Sequence, residues 1–151
     1  MARSSNLTTS QRATWRQLLL AHDQLLDRID AELTDSVGLT LGEFEVLVLL
    51  DEAEGHQMRM NELAVLTRLS PSGLTRRFDS LVRRGWVTRT RSADDGRGIL
   101  AGVTAAGRAK ATEGRPVHEA AVRRWCFDRL GDAEAAGLAA AVAVLAEPVE
   151  D

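Results

Sequence analysis

Ser70-Pro71-Ser72-Gly73 is followed by Thr75, Arg76 and Arg77. Serine before proline is the order expected at a helix start: the hydroxyl caps, and the missing proline N–H falls where no helical bond is needed. The N–H groups of such a first turn favour an anion, and a phosphate oxygen is a fitting one. The Ser70 and Ser72 hydroxyls can add contacts. With Leu74, Phe78 and Leu81 as the buried stripe, Ser72, Thr75 and Arg76 fall on the opposite face. Hydroxyls and a guanidinium on one exposed helix face suit the edges of base pairs, and arginine can bond both major-groove acceptors of guanine. Arg77, one step round the helix, is a candidate phosphate contact.

A second constellation lies further on. Asp95 and Arg97 flank Gly96 in a turn, where the carboxylate can hold the guanidinium in one rotamer. An arginine presented that way suits a narrow minor groove, because guanidinium is permanently charged and weakly hydrated. Arg89 and Arg91 are either phosphate contacts or ion pairs on a strand face. Arg83 and Arg84, near a helix end, complement its dipole.

The charge pattern agrees. The chain has 151 residues and a formal net charge of −3, yet residues 76–97 hold seven arginines against three aspartates, a balance of +4. Residues 23–54 hold ten acidic residues against Arg28 alone. One basic segment in an acidic chain is the distribution expected of a localised phosphate-binding surface.

Catalysis has little to stand on. The chain has no tyrosine, no glycine-rich phosphate loop and no nucleophile, base and orienter set, so no enzyme is expected. His22, His56 and His118 are too dispersed for a metal site, and no cofactor is implied. Cys126 is the single cysteine, without a disulfide or zinc partner. Apolar runs such as Val46 to Leu50 are too short to span a bilayer, and the N-terminus lacks the order of a secretory signal. A cytoplasmic protein without membrane contact is the expectation.

These residues need elements to hold them. Trp15, Leu18, Leu19, His22, Leu25, Leu26, Ile29 and Leu33 recur at helical spacing and predict a long amphipathic helix. Thr40-Leu-Gly-Glu43 has capping-box spacing and predicts a helix to about Asp51, with Phe44, Leu47 and Val48 facing the core. Met58 to Met60 is a short strand, and Asn61 is placed to cap a helix through Thr67, with Leu63, Ala64 and Leu66 as its apolar side. The helix from Ser70 carries Leu74, Phe78, Leu81 and Val82 at core spacing and ends at Gly85. Trp86 to Arg91 and Ile99 to Val103 read as strands joined by the turn residues 94–98. Thr104 caps the helical remainder, with breaks expected at Gly114, Pro116 and Gly131 and a last helix over 133–146.

The fold class is therefore mainly α with a small β-hairpin wing (α+β): a winged helix-turn-helix core over 37–103, with helical arms over 7–36 and 104–147, in one domain. The arms carry more apolar surface than a small winged core can cover, and a two-fold homodimer would bury it. Such a dimer would offer paired helices to an inverted repeat in double-stranded DNA, with half-site centres about 34–36 Å apart or a multiple of that.

Met60-Asn-Glu-Leu-Ala64, Leu69-Ser-Pro-Ser-Gly-Leu-Thr-Arg76, Phe78-Asp-Ser-Leu-Val-Arg-Arg-Gly-Trp-Val-Thr-Arg89, Asp94-Asp-Gly-Arg97 and Val103-Thr-Ala-Ala-Gly107 occur in this order. Together they resemble the MarR family of winged-helix regulators, from about Trp15 to Leu145. Arg77 stands where an apolar residue is more usual, Gly98 follows the wing arginine, and Val103 replaces a common leucine. The resemblance implies a transcriptional regulator, more often a repressor. It also implies a minor-groove role for Arg97 and a small aromatic or anionic effector bound between arms and winged core. Trp15 and His22 are the candidate effector contacts, set against a plain core role. Two other readings are a winged-helix interaction module that does not read DNA, and a redox-sensing regulator using Cys126 beside Arg123 and Arg124.

Overall fold

The computed structural model describes residues 6–67, 70–91 and 98–147. The elements run α1 (Thr9–Val37), α2 (Leu41–Glu52), β1 (Gln57–Arg59), α3 (Met60–Leu66), α4 (Pro71–Arg83), β2 (Val87–Arg91), β3 (Ile99–Val103), α5 (Ala105–Trp125) and α6 (Asp132–Ala146). They form two compact units, one of the residues up to Arg28 with those from Glu119 onward, the other Ile29–His118. No helix among the described residues is long and apolar enough to cross a membrane.

Side-chain caps set the helix boundaries of the central unit. The Thr40 hydroxyl accepts from the Glu43 N–H at 3.2 Å, and the Glu43 carboxylate accepts from the Thr40 N–H at 3.1 Å. This reciprocal box starts α2 where the Thr-x-x-Glu spacing places it. Thr40→Ala should therefore lower unfolding stability by about 1 kcal/mol in urea denaturation, and an unchanged midpoint would deny the cap any net contribution. Gly85, at φ +72°, takes the left-handed conformation that stops α4 one residue past its cap. The Thr104 hydroxyl accepts from the Gly107 N–H at 3.0 Å and starts α5.

The core of this unit is one apolar cluster. Leu33, Leu39, Val46, Leu47, Leu50, Leu63, Leu74, Phe78 and Leu81 are fully buried. The three strands form an antiparallel sheet in the order β1-β3-β2, with Val87 opposite Val103, and with Met58 and Arg89 on either side of Ala101. The β2-β3 hairpin is the wing, and its tip lies outside the described residues. The first unit contrasts with this packing. None of the α6 residues is buried, and Trp15, Leu18, Leu19, Leu20, Val144 and Leu145 are exposed.

Several expectations need correction. Arg59, not Asn61, occupies the α3 N-cap position, without a side-chain cap hydrogen bond, and Asn61 is already the second helical residue. Leu66 and Val82 are exposed, and Val48 is only half-buried while Val46 is sealed in the core. The predicted breaks at Gly114 and Pro116 do not occur, because α5 runs through both. Interior proline ordinarily costs about 3 kcal/mol in a helix. Here packing overrides that preference: Phe44 lies against Gly114, and its ring stacks on His118 at 4.9 Å. Arg115, between them in sequence, pairs with Glu52 at 3.1 Å and Asp51 at 3.4 Å, tying this stretch of α5 to α2.

Candidate nucleic-acid interface

Ser70 is the N-cap of α4, and its hydroxyl accepts from the Gly73 N–H at 3.1 Å, with Pro71 in the first turn. The cap narrows one expectation: the Gly73 N–H is already engaged, so anion affinity at this terminus rests on the helix dipole, the Ser72 N–H and the serine hydroxyls. The two hydroxyls lie 3.3 Å apart.

Because Leu74, Phe78 and Leu81 are sealed in the core, the helical period turns Ser72, Thr75 and Arg76 outward, and all three are exposed. Arg77 takes a different side. It is half-buried, and a Cβ placed on Gly42 would overlap its guanidinium, so its side chain lies across the first turn of α2. The arginine that stands where an apolar residue is more usual is thus accommodated by a glycine opposite. The site residues of α4 divide into an outward group, Ser72, Thr75 and Arg76, and one side chain that faces α2.

The strand arginines also separate. Arg89 pairs with Asp79 of α4 at 3.0 Å, and its guanidinium lies 5.2 Å from the Phe78 ring centroid. That pair braces the wing against α4. Arg91, at the last residue of β2, is exposed. Asp95 and Arg97 lie outside the described residues. Arg84 does more than complement a helix dipole: it donates to the Gly38 carbonyl at 3.0 Å, meets Glu43 at 3.4 Å and lies over the Trp86 ring at 4.7 Å. Sequence reasoning missed Glu43 and Arg84 as partners because nothing in their local patterns joins positions 41 residues apart.

A helix-turn-helix with an exposed hydroxyl and guanidinium stripe, followed by a β-hairpin, is therefore on view. A MarR family model matches residues 37–98, from the end of α1 to the residue before the returning wing strand. Over 81 residues the chain is 33% identical to the HTH-type transcriptional repressor YetL of Bacillus subtilis (strain 168). That match takes in 54% of this chain and 48% of the repressor, so the chain spans about half the length of this curated relative. Two solved structures are similar along nearly the full chain. Sco3205, a MarR family transcriptional regulator from Streptomyces coelicolor solved in complex with DNA, is 30% identical, with a TM-score of 0.85 over 98% of this chain and 95% of that one. AbsC, a MarR family transcriptional regulator from the same organism, is 31% identical, with a TM-score of 0.82 over 95% of this chain and 96% of that one.

The chain belongs to the MarR family.

The fold of this MarR family member is the winged helix-turn-helix expected from its sequence, with long helices before and after it. The two candidate effector residues are not brought together. His22 lines a cavity of about 510 Å³ with Leu25, Arg28, Trp125, Cys126 and Leu138. Trp15 lines a separate recess of about 320 Å³ with Leu7, Gln11 and Leu18, and is itself exposed. Arg28 lies over Trp125 at 4.3 Å, and with Arg129 it places cations on the wall of a largely apolar cavity. Cys126 is half-buried in that same wall.

Proposed function

We propose that this MarR family chain is a sequence-specific, DNA-binding transcriptional regulator that acts as a homodimer on an inverted-repeat operator. The observation that carries the reading is the outward stripe of Ser72, Thr75 and Arg76 on α4, a helix whose opposite side is fixed in the core. In a helix-turn-helix that side enters the major groove. Ser70, the Ser72 N–H and Arg91 are the phosphate contacts, while Asp95 and Arg97 carry the wing into the minor groove. The basic balance of residues 76–97 in a chain of net charge −3 favours DNA over a protein partner, since an interaction module has no need of a localised cationic surface.

Exposed apolar residues on α1 and α6 supply the dimer surface, because a lone chain would leave Leu19, Leu20, Val144 and Leu145 in water. The chain works as a repressor in the cytoplasm, carries out no catalysis, and is released by a small amphipathic effector. The cavity beside His22 and Arg28, apolar with cationic side chains at its wall, fits an aromatic or aliphatic acid. Release requires that the effector bind the DNA-competent and DNA-incompetent states unequally.

Selection from a random-sequence duplex pool tests the reading. An enriched inverted repeat with half-site centres about 34–36 Å apart, or a multiple of that, is the expected product. A pool that stays random after repeated rounds would favour the interaction module. Arg91→Ala provides a finer check. It should weaken binding to all duplexes alike and reduce the slope of log affinity against log salt by about 1, as for one lost phosphate contact.

A further inference from the structure

We propose that Glu43 is a positioning residue for DNA reading, its buried carboxylate fixing the rotation of α4 through Ser80 and Arg84. The inference rests on the reading of α4 as the DNA-reading helix. In an ordinary capping box the third-position carboxylate has one task, to reach back to the N-cap N–H, and it does so at the surface. Glu43 differs on both counts. It is 7% exposed, and it is the one charged residue among the buried ones described.

Both of its oxygens are engaged. Oε1 accepts from the Ser80 hydroxyl at 3.1 Å, across 37 residues of sequence. Oε2 accepts from the Thr40 N–H at 3.1 Å and from Arg84 Nη1 at 3.4 Å. The same Arg84 nitrogen donates to the Gly38 carbonyl at 3.0 Å. One carboxylate therefore joins the start of α2 to the C-terminal half of α4 and, through Arg84, to the residue that follows α1. Burying a carboxylate is unfavourable unless its lone pairs are satisfied and its charge is balanced, and here Thr40, Ser80 and Arg84 do both.

Rotation is what this arrangement controls. Leu74, Phe78 and Leu81 set which side of α4 meets the core, but apolar contact is non-directional and tolerates a small turn of the helix about its axis. Hydrogen bonds to a fixed acceptor are directional and do not. Arg77, Ser80 and Arg84 follow at spacings of three and four and meet α2 at Gly42 and Glu43. With that stripe pinned, Ser72, Thr75 and Arg76 are aimed outward by the helical period. A base-reading helix needs such aim, because bidentate contacts fail when the donor is misplaced by about an ångström.

Ser80→Ala and Glu43→Gln, each in the full chain, test the proposal, with Ser80→Thr as the variant that keeps the hydroxyl. Ser80→Ala leaves the Thr40–Glu43 box intact and removes only the link to α4. Three readouts are needed: thermal melting, amide exchange of α4 in DNA-free protein, and affinity for two duplexes. One duplex is that recovered by wild type from the random pool, and the other is its scrambled counterpart. Ser80→Ala should lose about 5- to 10-fold in affinity for the selected duplex and less than about 2-fold for the scrambled one, the size expected of one ordinary hydrogen bond. Glu43→Gln should lose at least as much, Ser80→Thr should restore binding, and exchange in the second half of α4 should quicken in the first two variants. Equal fractional losses on both duplexes, or lower melting with an unchanged ratio of affinities, would reduce Glu43 to a merely structural residue. Unaltered exchange in α4 would overturn the anchor outright. A wild type that fails to distinguish the two duplexes would instead overturn the regulator reading, leaving α4 exchange to judge the anchor on its own.

Discussion

Arg76→Ala is expected to weaken binding to the selected operator by roughly 5- to 150-fold, equivalent to about 1–3 kcal/mol, the range for losing one bidentate base contact. Arg76 is exposed beside Ser72 and Thr75 in the first half of α4, where the one other guanidinium, that of Arg77, is half-buried. Arg77 turns to Gly42, Arg84 to Glu43 and Gly38, and Arg89 on the neighbouring strand to Asp79. Loss of Arg76 should relax specificity at one base position in each half-site while changing scrambled-duplex affinity far less. Arg76→Lys should recover only part of the lost affinity, since an ammonium keeps the charge but not the fork. Fluorescence anisotropy with operator variants at each position would read both effects. A uniform loss across all duplexes would reassign Arg76 to phosphate.

Gly107→Ala is expected to destabilise the fold by about 2–3 kcal/mol, against the usual trend in which alanine replaces helical glycine with a gain of about 1 kcal/mol. Gly107 is buried in the first turn of α5. A Cβ there would overlap the Trp86 carbonyl oxygen and would press the Val103 Cγ2 at 2.8 Å. The carbonyl cannot withdraw easily, because it accepts from the Thr104 N–H at 3.0 Å and lies 3.2 Å from the Thr104 hydroxyl. That hydroxyl also caps the turn containing Gly107. The close approach is therefore built into the junction between the wing and α5. Urea denaturation measures it, and a stabilised Gly107→Ala would mean that the junction relaxes freely.

The parts of this molecule legible in sequence are those whose cause is local. Thr40-x-x-Glu43, Ser70-Pro71 and Gly85 each announce a helix boundary within a few residues, and each boundary lies where its residues place it. The apolar period of α4 likewise separated Ser72, Thr75 and Arg76 from the core. What escaped was decided by partners distant in sequence. Gly114 and Pro116 look like breaks until Phe44 and His118 are packed around them. Asn61 is a good capping residue in isolation, yet strand pairing of Gln57–Arg59 with β3 carries the chain into helix from Met60. Leu66 and Val82 follow the apolar period but fall at its edge, where helical spacing alone does not tell buried from exposed. The Gly42 partner of Arg77 and the Ser80 and Arg84 partners of Glu43 lie beyond local pattern for the same reason.

Base reading by α4 is tested most directly by the affinity of wild type for its selected duplex and for a scrambled duplex, each titrated across salt. A ratio of roughly 10³ or more at physiological salt is expected, with both affinities falling steeply as salt rises. Equal affinities at every salt concentration, or no binding even at low salt, would contradict it.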